Sequence, residues 1–263
     1  MRIASWKAGL FAAVALMGTG VTTSVARADG AWGPFTANIA MTSDYRFRGI
    51  SQSDTGAAVS GGIDYANNGW FAGVWASSVD FQDSATKDAP AEVDIYGGYN
   101  YAWTDTTEVG LQARYYWYPD SGFSGTAHYD YFELQGHVKH DFGKFQLAGE
   151  VDWSPDYFFE SGTGVNAFAT ATVPLLKEWW IFDGGVAASG HVGYQWIDDN
   201  VQFGTPDYLY WDLGVSATAG IFTFDARYID TNLSSTDCFG GGQFADWCKG
   251  EFVATVTVLL PGS

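Results

Sequence analysis

The chain has 263 residues, 12 basic and 30 acidic side chains for a formal net charge of −18, and is 47% hydrophobic and 17% aromatic. So acidic a surface repels phosphate, which argues against a nucleic-acid partner, and so much apolar material argues against a disordered chain. Abundant rings and 33 glycines beside only 3 methionines and 7 prolines point to β-structure joined by tight turns.

In chain order, the first 28 residues read as a secretory signal peptide. Arg2 and Lys7 form a basic start, Leu10 to Val21 an apolar run, and Ala26-Arg27-Ala28 a small-residue cleavage site. The apolar run is too short to span a bilayer. The mature chain would be residues 29–263, a single domain without an internal linker. It would keep 9 basic against 30 acidic residues, a net of −21. It has no later run of apolar residues long enough for a transmembrane helix.

Met41 to Gln52 follows, Met-Thr-Ser-Asp-Tyr-Arg-Phe-Arg-Gly-Ile-Ser-Gln. Asp44, Arg46 and Arg48 alternate with Tyr45 and Phe47, so a strand would put charges on one face and rings on the other. In a membrane barrel the rings would lie at the lipid interface and the charges in the lumen. Alternation continues in Val93–Tyr101 and Val109–Trp117. A hairpin centred on Asp105 pairs Tyr101 with Val109 and Val93 with Trp117, apolar set against apolar set. A second hairpin, turning at Phe142-Gly143, is predicted to pair Val138 with Leu147 and Phe132 with Trp153.

About a dozen such segments are predicted, at the roughly 9–11 residues a tilted membrane strand needs. They fall at 35–46, 57–66, 70–81, 91–103, 107–118, 128–140, 144–153, 164–175, 181–197, 207–218, 221–233 and 251–260. Short and long connections alternate without exception. An outer-membrane barrel has that order, with tight turns facing the periplasm and longer loops outside, and a soluble sandwich has no reason to keep it. Tyr45, Phe47, Trp75, Phe81, Tyr115, Trp117, Trp153, Trp196 and Trp211 are predicted to form interfacial girdles. The fold class is therefore an all-β, up-and-down antiparallel transmembrane barrel of about 12 strands.

Thr42 to Gln52, Gly61-Gly62-Ile63-Asp64-Tyr65, Phe71-Ala72-Gly73-Val74-Trp75-Ala76-Ser77 and Glu92-Val93-Asp94-Ile95-Tyr96-Gly97-Gly98-Tyr99 together resemble the TorF family, proteobacterial outer-membrane proteins described as porins of unknown function. The resemblance implies a β-barrel in the outer membrane and passive transport, and brings no catalytic residues. The final strand departs from the usual terminal Phe, since Pro261-Gly262-Ser263 follows Leu260.

With the apolar faces against outer-membrane lipids, the lumen would be lined by Asp44, Arg46, Arg48, Asp64, Asp94, Arg114, Glu133, His137, Glu150, Asp152, Asp212, Asp225 and Arg227. Acids outnumber bases there, so small hydrophilic solutes would diffuse through with a preference for cations. The competing reading is that these charges pair across strands and fill a narrow, non-conducting barrel serving a structural or ligand-binding role. Arg46 and Arg48 have the same two readings: a clamp at the pore mouth, or structural pairing with Asp44, Asp64 and Asp80. A hydrolase would draw on His128 with Asp130, or His191 with Asp183, but no signature fixes a nucleophile. No enzyme, cofactor or metal site is therefore predicted. Cys238 and Cys248, close together in an exported chain, read as a disulfide. The rings of Tyr157-Phe158-Phe159 and of Phe239 to Phe244 either fold into the lumen or meet another surface.

Overall fold

Apolar and polar side chains that alternate for about ten residues at a time can satisfy their backbone only by pairing with neighbours on both sides. In the computed structural model, which describes residues 33–82, 89–119 and 128–261, they do so as one closed antiparallel barrel of twelve strands. The strands are β1 (Phe35–Thr42), β2 (Ala58–Asn67), β3 (Trp70–Ser78), β4 (Ala91–Ala102), β5 (Thr107–Trp117), β6 (Tyr131–Asp141), β7 (Gln146–Ser154), β8 (Gly164–Leu176), β9 (Gly185–Ile197), β10 (Tyr208–Ala219), β11 (Phe222–Thr231) and β12 (Glu251–Pro261). Each pairs with its successor, and β1 closes on β12 with Ile39 opposite Val258, so no strand edge is left open. The proposed signal peptide lies outside the described residues.

The barrel is apolar outside and polar inside. Leu111, Ile63 and Leu213 are more than half exposed on the outer face, while Glu92, Asp94 and Glu133 are each 1% exposed within. No helix among the described residues is long and apolar enough to cross a membrane, and the closed barrel with its apolar outer face is the form in which strands do so. The short connections all lie at one end. Two are two-residue turns, Asn68-Gly69 and Gly220-Ile221, and in the first φ is 50° and 87°, the left-handed pair of a type I′ hairpin turn. Both barrel termini are at this end, and the six longer connections gather at the other. Trp179 and Trp180 stand exposed on the longest of the short turns.

The β4–β5 register is the predicted one, Tyr101 opposite Val109 and Val93 opposite Trp117. Four expectations are corrected. In β6–β7, Val138 faces Gly149 and Leu134 faces Trp153, a slip of two residues from the predicted pairing. Its cause is a four-residue turn in which Gly143, at φ 82°, donates its amide to Asp141 while Phe142 stacks on Phe145. A slip of two preserves the faces. Next, β9 begins at Gly185 rather than 181, because Trp179 and Phe182 bond to each other as part of the turn. Finally, β1 ends at Thr42 rather than 46. Beyond it the chain leaves the wall, so Tyr45 and Phe47 are buried in the barrel mouth instead of facing lipid, as is Phe81, because β3 ends at Ser78 rather than 81. Trp75 packs inward on Tyr45. Tyr115, Trp117, Trp153, Trp196 and Trp211 are exposed at the loop end, as a girdle requires.

Candidate functional site

The first long connection, residues 43–57, turns into the lumen, and its sequence explains how. The Asp44 carboxylate accepts from the Ser51 and Ser53 hydroxyls at 2.7 and 3.0 Å and from Arg46 Nε at 2.6 Å, drawing the two ends of the segment together. Arg46–Phe47 and Ile50–Ser51 then pair as a miniature hairpin. Its turn is Arg48-Gly49, with φ 49° and 84°. Glycine suits the second position on two counts. The backbone is left-handed, and a Cβ there would meet Thr231 Cγ2 at 2.6 Å and Tyr210 Cβ at 2.9 Å.

Arg48 sits at the tip of this hairpin and crosses the lumen. Its guanidinium donates to Gln195 Oε1 at 2.9 Å and Tyr157 OH at 3.2 Å, and forms ion pairs with Glu133 at 2.9 Å and Asp152 at 2.8 Å. One side chain thus ties β6, β7, β9 and the 155–163 loop to the hairpin. Arg46 holds the base, donating to the carbonyls of Gly49, Trp247 and Lys249.

Around the tip the carboxylates have further donors. Glu133 accepts from Tyr116 OH and Gln135, Asp152 from Asn166, and Glu92 from Tyr45 OH and Tyr118 OH at 2.8 and 2.7 Å. Arg114 is opposite Glu133 in register, but its guanidinium pairs with Asp94 at 2.9 Å and lies over the Tyr96 ring. The Tyr96 hydroxyl in turn bonds to Asp64. Nearer the short turns, Arg227 pairs with Asp212 at 2.6 Å and Asp225 at 2.7 Å, and His191 Nδ1 lies 3.0 Å from Asp212.

All four arginines among the described residues are therefore in the lumen and paired. Glu150 and His137 face each other across β6 and β7 outside this network, with neither Glu150 oxygen hydrogen-bonded. Two groupings weighed from sequence are not assembled. His191 meets Asp212, while Asp183 accepts the Gly220 amide in a short turn. Asp130 takes the Tyr118 amide and the Tyr115 hydroxyl. No three His, Cys, Asp or Glu side chains among the described residues converge as a metal site. Asn166 and Gln195 belong to the network and were not singled out from sequence, whereas Tyr157 takes the inward of its two expected placements. Neutral polar side chains in a strand carry no charge signal, and only their inward phase in β8 and β9 distinguishes Asn166 and Gln195.

The hairpin divides the interior. On its short-turn side is a polar cavity of about 60 Å³ bounded by Asp44, Arg46, Arg48, Asp212, Asp225 and Arg227. On its loop side is an aromatic chamber of about 300 Å³. Cys238 and Cys248 form a disulfide, with Cα atoms 5.9 Å apart, within the 232–250 loop that carries the carbonyl acceptors of Arg46. In that loop the Ser234 hydroxyl and amide hold the Asp237 carboxyl below its ordinary value.

A family model described as "Bacterial protein of unknown function (Gcw_chp)" matches residues 26–259. No curated protein matches the sequence. Among solved structures the chain is similar to the KdgM porin, with TM-score 0.53 and 8% identity over 86% of this chain and 98% of that one. It is similar also to the KdgM porin in complex with disordered oligogalacturonate (0.52, 7%, 86% and 97%) and to the NanC porin (0.50, 10%, 86% and 98%). At such identities the likeness is one of fold.

Proposed function

The chain belongs to the Gcw_chp family of bacterial proteins of unknown function, and from its lumen we propose that it is a narrow outer-membrane porin for small hydrophilic solutes, with a preference for cations. On this reading residues 1–28 direct export and are removed, and residues 29–263 form a single barrel domain, related to the TorF proteins, whose apolar face contacts outer-membrane lipids. The observation that supports it is the inward-folded segment 43–57, which carries polar and charged side chains into a barrel whose outward face is apolar. Arg48 with Glu133 and Asp152 would form the narrowest ring. Asp44, Arg46, Asp212, Asp225 and Arg227 would form a second collar, and Asp64, Asp94, Arg114, His137 and Glu150 the wall between. Carboxylates exceed guanidinium groups along this path, so a cation entering it is stabilised and an anion is not. The oligogalacturonate of the KdgM complex is a polyanion, and we do not carry that solute over.

One observation favours a second reading, a non-conducting barrel with a structural or ligand-binding role. The contacts of Arg48 span the bore, and pairing of this kind can close it. Single-channel conductance of the refolded chain in a planar bilayer under a salt gradient separates the two. Discrete steps with a cation-selective reversal potential support the porin. A silent membrane, with folding confirmed by heat-modifiable migration on a gel, removes it and leaves the closed barrel.

A further inference from the structure

We infer that the chamber on the loop side of the hairpin is a binding site for a neutral aromatic molecule of one or two rings. All six long connections contribute a ring to it: Phe47, Phe81, Tyr129, Phe158, Phe203 and Trp247. These rings contact one another edge-on or stacked, Tyr129 on Phe158 at 5.1 Å and Phe81 against Phe158 at 5.8 Å. Yet they leave between them a half-open cleft of about 300 Å³, where side chains that gather only to form a core would close to crystal-like density. A cavity of this volume, walled by rings brought from six separate segments, has the form of a ligand site.

Its chemistry selects the ligand. Several polar groups around it are engaged elsewhere: the Trp247 indole N–H with Asp54, the Ser51 hydroxyl with Asp44, the Tyr118 hydroxyl with Glu92, and the Tyr157 hydroxyl with Arg48, while the Tyr131 and Tyr208 hydroxyls also belong to its wall. The Arg48 guanidinium below is paired with two carboxylates, so the floor has no unpaired charge for an anion. What the chamber presents is ring faces and ring edges with two tyrosine hydroxyls among them, which favour a neutral aromatic molecule over an ion. The exposed Gln82 and Gln243 mark its rim. This assignment goes beyond the porin reading, and its test does not depend on conduction.

The test is ¹⁹F NMR of 5-fluoroindole with the full chain refolded into lipid nanodiscs, empty nanodiscs giving the partition baseline. Saturable broadening above that baseline, unaffected by glucose, is expected. Ile50→Trp, which fills the chamber from the hairpin, should weaken binding at least about tenfold while heat-modifiable migration is retained. If Ile50→Trp does not fold, Phe158→Ala in the half-buried loop decides, with a loss of about threefold or more expected. A signal equal to that of empty discs, displacement by glucose, or affinity unchanged in the folded variant used would overturn the assignment.

Discussion

Arg48 combines a left-handed backbone, which a branched or long side chain adopts only when its surroundings hold it there, with two carboxylate partners and two neutral acceptors. Arg48→Ala should therefore do two things. It leaves Glu133 and Asp152 buried without their cation, which should lower stability by about 3–5 kcal/mol. It also frees the hairpin tip, so the unit conductance in a planar bilayer should rise. Arg48→Lys should not restore the original conductance, because a single ammonium cannot reach the acceptors that a planar fork serves at once. An unchanged conductance in Arg48→Ala would mean that the tip is not the constriction. Gly49→Ala strains the same turn from the backbone side, since its methyl meets Thr231 and Tyr210. It should show the same conductance change with the charges intact, and that comparison separates geometry from electrostatics.

Among the elements, the 232–250 loop supports the hairpin. Ser51 donates its amide to the Trp247 carbonyl, and Arg46 donates to Trp247 and Lys249, all within or beside the ten-residue disulfide loop. Replacing Cys238 and Cys248 by Ser should lower stability by about 2–3 kcal/mol. Because those carbonyls hold the hairpin base, the change should also broaden the distribution of conductance steps, read from single-channel records with and without the bridge. Elements were also where sequence spoke most clearly. Alternation and the unbroken order of short and long connections yielded all twelve strands to within a few residues. The β6–β7 slip of two escaped because alternation has period two and cannot sense it; only the turn chemistry of Asp141 and Gly143 could. Tyr45 and Phe47 misled for another reason. Asp-Tyr-Arg-Phe-Arg alternates equally well in a wall strand and in a hairpin folded inward. The distinguishing features, Ser51 and Ser53 as donors to Asp44 and Gly49 at the turn, act through space and leave no periodic trace. The inward charges of the strands were legible from phase alone, whereas which acid would meet which arginine was not, since Arg48 comes from a loop.

For the whole molecule the balance of charge would set the direction of selectivity of the proposed pore. Against Arg46, Arg48, Arg114 and Arg227 stand Asp44, Asp64, Glu92, Asp94, Glu133, Glu150, Asp152, Asp212 and Asp225, all turned from lipid. Most of these carboxylates are held by donors, and neutralising one would leave a buried partner unmatched, confusing a loss of selectivity with a loss of structure. Glu150 differs. It is buried, with neither oxygen held by a donor, so Glu150→Gln replaces an ionisable carboxyl by a neutral amide of the same shape without orphaning a donor. In a bilayer under a salt gradient, parent and variant should share one reversal potential at acid pH, and a difference should open only as the pH rises through the ionisation of Glu150, while step size and heat-modifiable migration stay alike. Raising the salt should shrink the difference, since the Debye length falls from about 10 Å at 0.1 M to about 3 Å at 1 M. A difference already present at acid pH, in a barrel that still conducts, would mean that the substitution acts through the shape of the lumen and not through its charge.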